Sequence, residues 1–370
     1  MWLVLRKLAP GIVLIMVACG VLVVSDVKRR GPGGEVRTEA APGAAASQGA
    51  AVGRVVPGKK ADAPAGATGR LTKKWDVALV CYVDSPPSED TVRGVKDGLT
   101  EAGLAEGRDY TLRPSNAQGD MATLNSIMTA VRSRGVDMVI TVSTPTLQTA
   151  LKQFDRTPII FSCVASGVQA GAGRSETDHR PNVTGITTLS PFKEMAELLP
   201  ECLPGIRRVG TLFTPSEVNS VLYKDRLEQA LKAKGITLVA VPANTSSEIT
   251  DAASALCAKD VGAICQLSDN LTAAAFSSLA MQAGKAGMAI FSFSSAQAYR
   301  GGMLAMARDY YDGGRETGLL AARVMRGESP ADIPFANVRT MRLIINLARA
   351  QQLGLTIPAF ILSRADEVIK

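Results

Sequence analysis

The sequence is short of the residues from which most enzymes build their chemistry. It has one histidine, His179, in 370 residues. That excludes His-rich metal centres. A Ser–His–Asp relay would have to use a residue in the polar stretch 174–181, which reads as a surface loop. No P-loop, HExxH or GxSxG pattern occurs. The six cysteines, Cys19, Cys81, Cys163, Cys202, Cys257 and Cys265, form no CxxC pair and no metal-ligand spacing. No cofactor, metal or catalysis is therefore expected. Charge of one sign is also missing from most of the chain. The net charge is +7, but residues 1–75 hold twelve Lys/Arg against four Asp/Glu, more than the whole excess. The remainder is near neutral, at −1. It lacks the basic footprint of a nucleic-acid binder.

Apolar residues, by contrast, are plentiful at 46%. The first long run spans 8–25, flanked by Arg6-Lys7 and Lys28-Arg29-Arg30. It fits an uncleaved membrane anchor of about 18 residues. It also fits a cleaved signal peptide, or a lipoprotein signal with Cys19 after the loose lipobox Met16-Val17-Ala18. All three readings put the rest of the chain outside the cytoplasm. Residues 31–72 are dominated by Gly, Ala, Pro and Ser and read as a flexible linker.

From residue 76 the pattern changes. The apolar run 76–83 predicts a strand buried on both faces and ends at Asp84-Ser85-Pro86-Pro87-Ser88. A helix follows over 89–102, stopped by Gly103, then a strand at 110–113, a helix to 134 and a strand at 136–142. The same order recurs: strand 208–213, helix to 234, strand 237–241, helix to 259, strand 261–267. Two βαβαβ blocks predict an α/β fold of two doubly wound parallel-sheet lobes. Cys81, Cys163 and Cys265 lie in apolar runs and read as buried small hydrophobes; a Cys257–Cys265 disulfide is compatible with an oxidising compartment.

Ligands of such sheets bind beyond the strands' carboxyl ends, which is where the polar clusters fall. Ser85, Ser143 and Thr144 stand at such turns in the first block, and Thr214, Ser216 and Glu217 in the second. Ser166 and Ser294 lie in two further strand-end clusters, 162–167 and 292–297. Hydroxyls there either cap helices or offer donors to a ligand carboxylate. Asp269 ends an apolar strand, where a carboxylate needs a partner: its own helix start or a ligand ammonium.

Nine segments then carry a resemblance. They include Asp97-Gly-Leu-Thr-Glu-Ala-Gly103, Ser143-Thr-Pro-Thr-Leu-Gln148, Thr214-Pro-Ser-Glu-Val-Asn-Ser220, Ser268-Asp-Asn270 and Asp309-Tyr-Tyr-Asp-Gly-Gly-Arg315, in family order. Over 76–370 the chain resembles the ABC transporter substrate-binding family typified by tryptophan/tyrosine binding proteins, with the type I periplasmic-binding fold. The resemblance implies a non-catalytic protein that holds a small polar ligand in an interlobe cleft. The ligand would be an amino acid, aromatic ones included, or a related molecule. It also implies delivery to an ABC permease with a cytoplasmic ATPase. The alternative class is a membrane-tethered ligand sensor without a transporter. Three crossovers are implied, with lobe 1 at 73–188 and 300–328 and lobe 2 at 189–299 and 329–370. Carried over by position, Ser85, Ser143, Thr144 and Gln148 line the first lobe, and Glu217, Asn219, Ser220, Asp269 and Asn270 the second. The sequence departs from the family at Ala165-Ser166-Gly167-Val168, where Asp-Pro is usual, at Thr214, where Asn is common, and at 292–298, which lacks acids.

Overall fold

The structure, a computed structural model, describes residues 71–370. The expected anchor (1–30) and all but the last two residues of the expected linker (31–72) lie outside the described residues. The first described element is β1 (Trp75–Cys81). Its alternate residues go to opposite faces: Val77 and Leu79 pack with Val95, Leu99 and Leu320, whereas Ala78 and Val80 pack with Leu124, Met128 and Phe161. That two-sided burial is why the strand reads as one apolar run. The helix α1 (Pro86–Glu101) starts on a capping box in which Ser85 and Ser88 exchange side-chain bonds to backbone N–H groups, with proline in its first turn. There follow β2 (Tyr110–Asn116), α2 (Met121–Arg134), β3 (Met138–Val142), α3 (Thr144–Gln153), β4 (Ile159–Val164) and β5 (Val183–Thr187). Asp120 caps α2 and Gly135, at φ 75°, ends it.

The chain then builds a second lobe. It contains α4 (Phe192–Cys202), β6 (Arg208–Phe213), α5 (Val218–Lys232), β7 (Thr237–Pro242), α6 (Ile249–Cys257) and β8 (Ala263–Gln266). It continues with α7 (Asn270–Ala274), α8 (Phe276–Lys285), β9 (Ile290–Ser292), α9 (Ser295–Ala298) and β10 (Leu304–Arg308). A return to the first lobe adds α10 (Tyr310–Met325) and β11 (Ala336–Asn337). The C-terminal part completes the second lobe with β12 (Met341–Asn346), α11 (Leu347–Gln352), α12 (Ala359–Leu362) and β13 (Glu367–Ile369).

The sheet orders are β11-β5-β4-β3-β1-β2 and β13-β12-β10-β9-β8-β6-β7. Each begins 2-1-3-4-5 when counted from its own first strand, the doubly wound order. All pairings between named strands are parallel except β10 with β12. The repeat expected from the two sequence blocks is thus a repeat of sheet topology.

The later crossovers fall elsewhere than the resemblance implies. β10 hydrogen-bonds to β9, so residues 304–308 belong to the second sheet, not the first. β11 pairs with β5, so residues 336–337 belong to the first sheet, not the second. A strand joins whichever edge is open to it; the chain changes lobes after β10, at Arg308–Asp309, and again after Val338. The three crossovers lie close together. Arg308 donates from Nε to the Leu189 carbonyl and from Nη1 to the Arg339 carbonyl, both at 3.4 Å. The Asp309 N–H donates to Thr340 O at 3.1 Å, and Asp309 pairs with Arg342. One arginine therefore brackets all three linking strands.

The helices α1 and α10 cross almost backbone to backbone. A Cβ on Gly94 or Gly98 would lie 2.1 Å from the carbonyl oxygen of Tyr311 or Arg315, and one on Gly314 would lie 2.1 Å from that of Thr91. Glycine is required there because the obstacle is main chain and cannot step aside.

Candidate ligand-binding cleft

In both sheets the winding direction reverses between the first and third strands of the lobe, β1/β3 and β6/β8. The turns that leave these strands open toward each other. Ser85 and Ser88, from the turn after β1, and Ser143 and Thr144, after β3, form the first wall with Cys163 at the end of β4. Asn219 and Tyr223 on α5 and Ser268, Asp269 and Asn270 after β8 form the second. Tyr310, the first residue of α10, closes the back; its hydroxyl lies 3.3 Å from Ser268 Oγ and links the lobes. The enclosed cavity is about 20 Å³, room for little more than one water. Anything larger must enter with the lobes apart.

The first wall offers unspent donors. Ser143 Oγ and Thr144 Oγ1 are buried and have no hydrogen-bond partner. Buried hydroxyls are normally paired, so two adjacent orphans at a cleft mark a place built for something else to bind. Ser143 also sits at φ 98°, ψ 160°, a backbone region tolerated by glycine. Its hydroxyl makes no cap bond to α3, although the position is an N-cap. Local strain of about 1–3 kcal/mol is thus held at a residue whose side chain faces the cleft. A Ser143→Gly variant should gain about 1 kcal/mol in denaturant unfolding and lose ligand affinity. A gain in both would show that the hydroxyl does not meet the ligand.

The second wall is organised by two carboxylates. Glu217 Oε2 accepts from Asn219 Nδ2 at 3.0 Å, Asn270 N at 3.1 Å and Asn270 Nδ2 at 2.7 Å, and Oε1 from Leu271 N at 3.2 Å. Asp269 caps α7 through the Thr272 N–H at 2.8 Å and accepts from the Ser220 and Thr272 hydroxyls. Both acids are buried. Because a carboxylate only accepts, the Asn219 amide must turn its NH₂ toward Glu217, which leaves Oδ1 unpartnered at the cleft.

Burial, and then the Asp269 carboxylate, push Glu217 up to about 7. Asp269 is also raised, by burial, against the pull of its hydroxyl and N–H donors. Between about 4.5 and 7 the folded chain therefore binds more protons at Glu217 than the unfolded chain does. Its contribution to stability is greatest below that window and fades as pH rises through it. The melting temperature of the unliganded protein should fall as pH rises from about 4.5 to 7, and Glu217→Gln should flatten that slope. Cys163 is a neutral wall: burial raises its thiol to about 12.

Of the residues singled out in the sequence, Ser85, Ser143, Thr144, Asn219, Asp269 and Asn270 line the cleft. Glu217 and Ser220 stand directly behind it, bonded to lining residues. The other three lie elsewhere. Gln148 is one turn further along α3, which runs away from the strand ends. Ser166 Oγ accepts from the Gln169 N–H within its own turn. Ser294 follows β9, outside the reversal point, and its carbonyl accepts from Ser292 Oγ. Ser268 joins the lining residues from the strand-end cluster 268–270, while nothing in the sequence singles out Tyr223, Tyr310 or Cys163 as cleft residues. Tyr223 follows Ser220 by three residues on one helix face, a spacing that marks it as a neighbour. Tyr310 carries no local signal, since it arrives from a separate segment by a crossover. Cys81 and Cys265 are buried as expected, but Cys163, at φ 56°, lines the cleft. Cys257 and Cys265 are free thiols. His179 stacks on Phe335, ring centroids 4.4 Å apart, and neither residue lines the cleft.

Among the described residues no group of His, Cys, Asp or Glu is arranged to hold a metal ion. Two like lobes, three adjacent crossovers and a polar slot at paired reversal points define the two-lobed class of binding protein. The family model described as ABC transporter substrate binding protein matches residues 76–369, and the chain belongs to that family. The "Tyrosine-binding protein" of Clostridioides difficile is 27% identical over 274 residues, 74% of this chain and 79% of that protein. The structure of an ABC domain from Streptococcus pneumonia in complex with L-Trp is 25% identical, with a TM-score of 0.77, covering 80% of this chain and all of that one. A ligand-free, open substrate binding protein with adhesive properties from Clostridium difficile is also 25% identical, covering 80% of this chain and 99% of that one, with a TM-score of 0.62. The fold is that of type I periplasmic binding proteins.

Proposed function

We propose that this chain captures an α-amino acid, aromatic ones included, between its lobes outside the cytoplasm and hands it to an ABC permease driven by a cytoplasmic ATPase. The observation that carries the ligand class is the placement of orphaned polar atoms on the two walls. Ser143 Oγ and Thr144 Oγ1 are donors suited to a carboxylate; Asn219 Oδ1 is an acceptor suited to an ammonium. The buried acids Glu217 and Asp269 stand behind that acceptor and favour a cation there. Tyr223 and Tyr310 line the same cleft and give an aromatic side chain aromatic neighbours. The relatives that bind tyrosine and L-Trp support the same class. Residues 8–25 would hold the protein at the membrane, with the segment before residue 72 as a tether. Among the described residues no helix is long and apolar enough to cross a membrane.

Thermal-shift titration of the full chain tests the ligand class. L-Tryptophan or L-tyrosine at about 100 times its Kd should stabilise the protein by about 2.7 kcal/mol, several degrees in Tm. Indole and indole-propionate, which lack the ammonium group, should shift it far less. A flat response to all amino acids would sink the proposal.

A further inference from the structure

Glu217 and Asp269 are two carboxylates buried at one wall of the cleft. Among the described residues no ion pair includes either of them. The first cation along α5, Lys224, pairs with Asp225 and Glu228 instead. The groups that neighbouring elements bring to this corner are neutral or acidic. The α5 helix brings the Tyr223 phenol, bonded to the Thr188 carbonyl, and α10 brings Tyr310, bonded to Ser268. Across the cleft, β4 ends at the Cys163 thiol. The first lobe also brings Tyr82, whose phenol is raised by burial and then by Glu217 and Asp120. Asp84, two residues on, is held by Asn116 and Gln118. Two like charges buried together without a cation strongly disfavour double ionisation. Either one acid holds a proton, or a cation arrives with the ligand.

The donor sets show which acid holds the proton. Both oxygens of Asp269 are served: Oδ1 by the N–H and hydroxyl of Thr272, and Oδ2 by the Ser220 hydroxyl. Ser220 Oγ itself accepts from the Thr214 N–H at 2.8 Å, which turns its O–H toward Asp269. The donors of Glu217 are uneven. Its Oε2 accepts three N–H bonds, and its Oε1 accepts only one, from Leu271 at 3.2 Å. Oε1 therefore keeps a lone pair for a proton. The Asn219 amide that donates to Oε2 is buried and presents its unpartnered Oδ1 to the cleft. A ligand ammonium at Oδ1 would stand one amide away from the Glu217 carboxyl group.

We propose that ligand capture is coupled to proton release: the unliganded protein holds a proton on Glu217 Oε1, and a ligand ammonium at Asn219 Oδ1 displaces it to solvent. The proposal rests on the reading, given above, that the ligand carries an ammonium group. One cation replaces another. The O–H bond of the Glu217 carboxyl breaks, its proton passes to water, and the carboxylate left behind attracts the ammonium through the Asn219 amide. The linkage is reciprocal: a ligand that expels a proton is itself expelled by protons, so acid weakens capture.

Calorimetric titration of the full chain with L-tryptophan, in two buffers of different ionisation enthalpy, counts the protons exchanged. With Glu217 at about 7, about half a proton should leave per ligand bound at pH 7, and nearly one at pH 6. Affinity should rise about tenfold from pH 5.5 to 7.5. The free amino acid keeps both its charges over this range, and His179 does not line the cleft, so the proton comes from the buried acids. Glu217→Gln should release less than about a tenth of a proton and bind with an affinity independent of pH. A second measurement needs no variant: infrared difference spectra at pH 6 should lose a protonated-carboxyl stretch when L-tryptophan is added. Binding without proton exchange, or with proton uptake, overturns the coupling and leaves the amino-acid reading standing. Release that survives in Glu217→Gln places the proton on another group and overturns the assignment. If no amino acid binds at any pH, the reading and the coupling fall together.

Discussion

Replacing Asp269 with alanine is expected to weaken binding of L-tryptophan or L-tyrosine about 100-fold, roughly 2.7 kcal/mol. The side chain is buried and serves three donors: the Thr272 N–H and the hydroxyls of Ser220 and Thr272. Truncation strands these donors and uncaps α7, whose first residue, Asn270, lines the cleft. It also removes a negative charge behind the acceptor Asn219 Oδ1. Stability should fall by about 2 kcal/mol, less than three lost charge-assisted bonds would give, because Glu217 is relieved of a like charge. Asp269→Asn separates the two roles. It keeps an oxygen for the Thr272 N–H, so the fold should lose little. It removes the charge, so affinity for an ammonium should still drop at least tenfold. Full affinity in the asparagine variant, measured by calorimetric titration, would mean that the ligand carries no cation at this wall.

The features that made Asp269 visible in the sequence show where reading from residues succeeds. A carboxylate at the end of an apolar strand needs partners, and the strand's own helix start is close at hand. The same local logic found Ser85, Ser143 and Thr144, because each closes one strand–turn–helix unit. Both lobes were legible for the same reason: continuous apolar strands and capped helices are local, and they recur. Reading failed where contacts depend on distant segments. Tyr310 reaches the cleft only because α10 returns from the second lobe, and nothing around it in sequence says so. The resemblance puts 300–328 in the first lobe, yet β10 joins the second sheet, because a strand's sheet is decided by which edge is open, not by its own residues. Gln148 looked like a cleft residue by its place in a motif, yet helix geometry carries it one turn down from the strand ends. Ser143 was found, but its left-handed backbone was not, since no residue type announces a strained serine.

The second large effect lies away from the ligand. Gly98→Leu is expected to destabilise the protein by at least about 3 kcal/mol, measured as a shift of the urea midpoint. A Cβ at Gly98 would meet the Arg315 carbonyl oxygen at 2.1 Å, and a leucine adds three more carbons. The facing residues Gly314 and Gly318 are equally closed, by the carbonyls of Thr91 and Val95. The helices α1 and α10 must therefore separate. Their flanking bonds, Tyr311 Oη to Asp97 at 2.8 Å and Arg315 to Glu101, would be lost with the contact. Separation would also be felt at the cleft. The helix α1 begins at the Ser85 turn, and α10 begins with Tyr310, one residue after the Arg308–Asp309 crossover. Binding should accordingly weaken in step with stability when α10 shifts. Gly103→Ala is the contrast: it too is strained, at φ 79°, but nothing lies within 4 Å of its Cβ. It should cost only about 1 kcal/mol and leave affinity unchanged. Equal effects of the two substitutions would show that backbone freedom, not the close approach of two helices, is what glycine supplies at position 98.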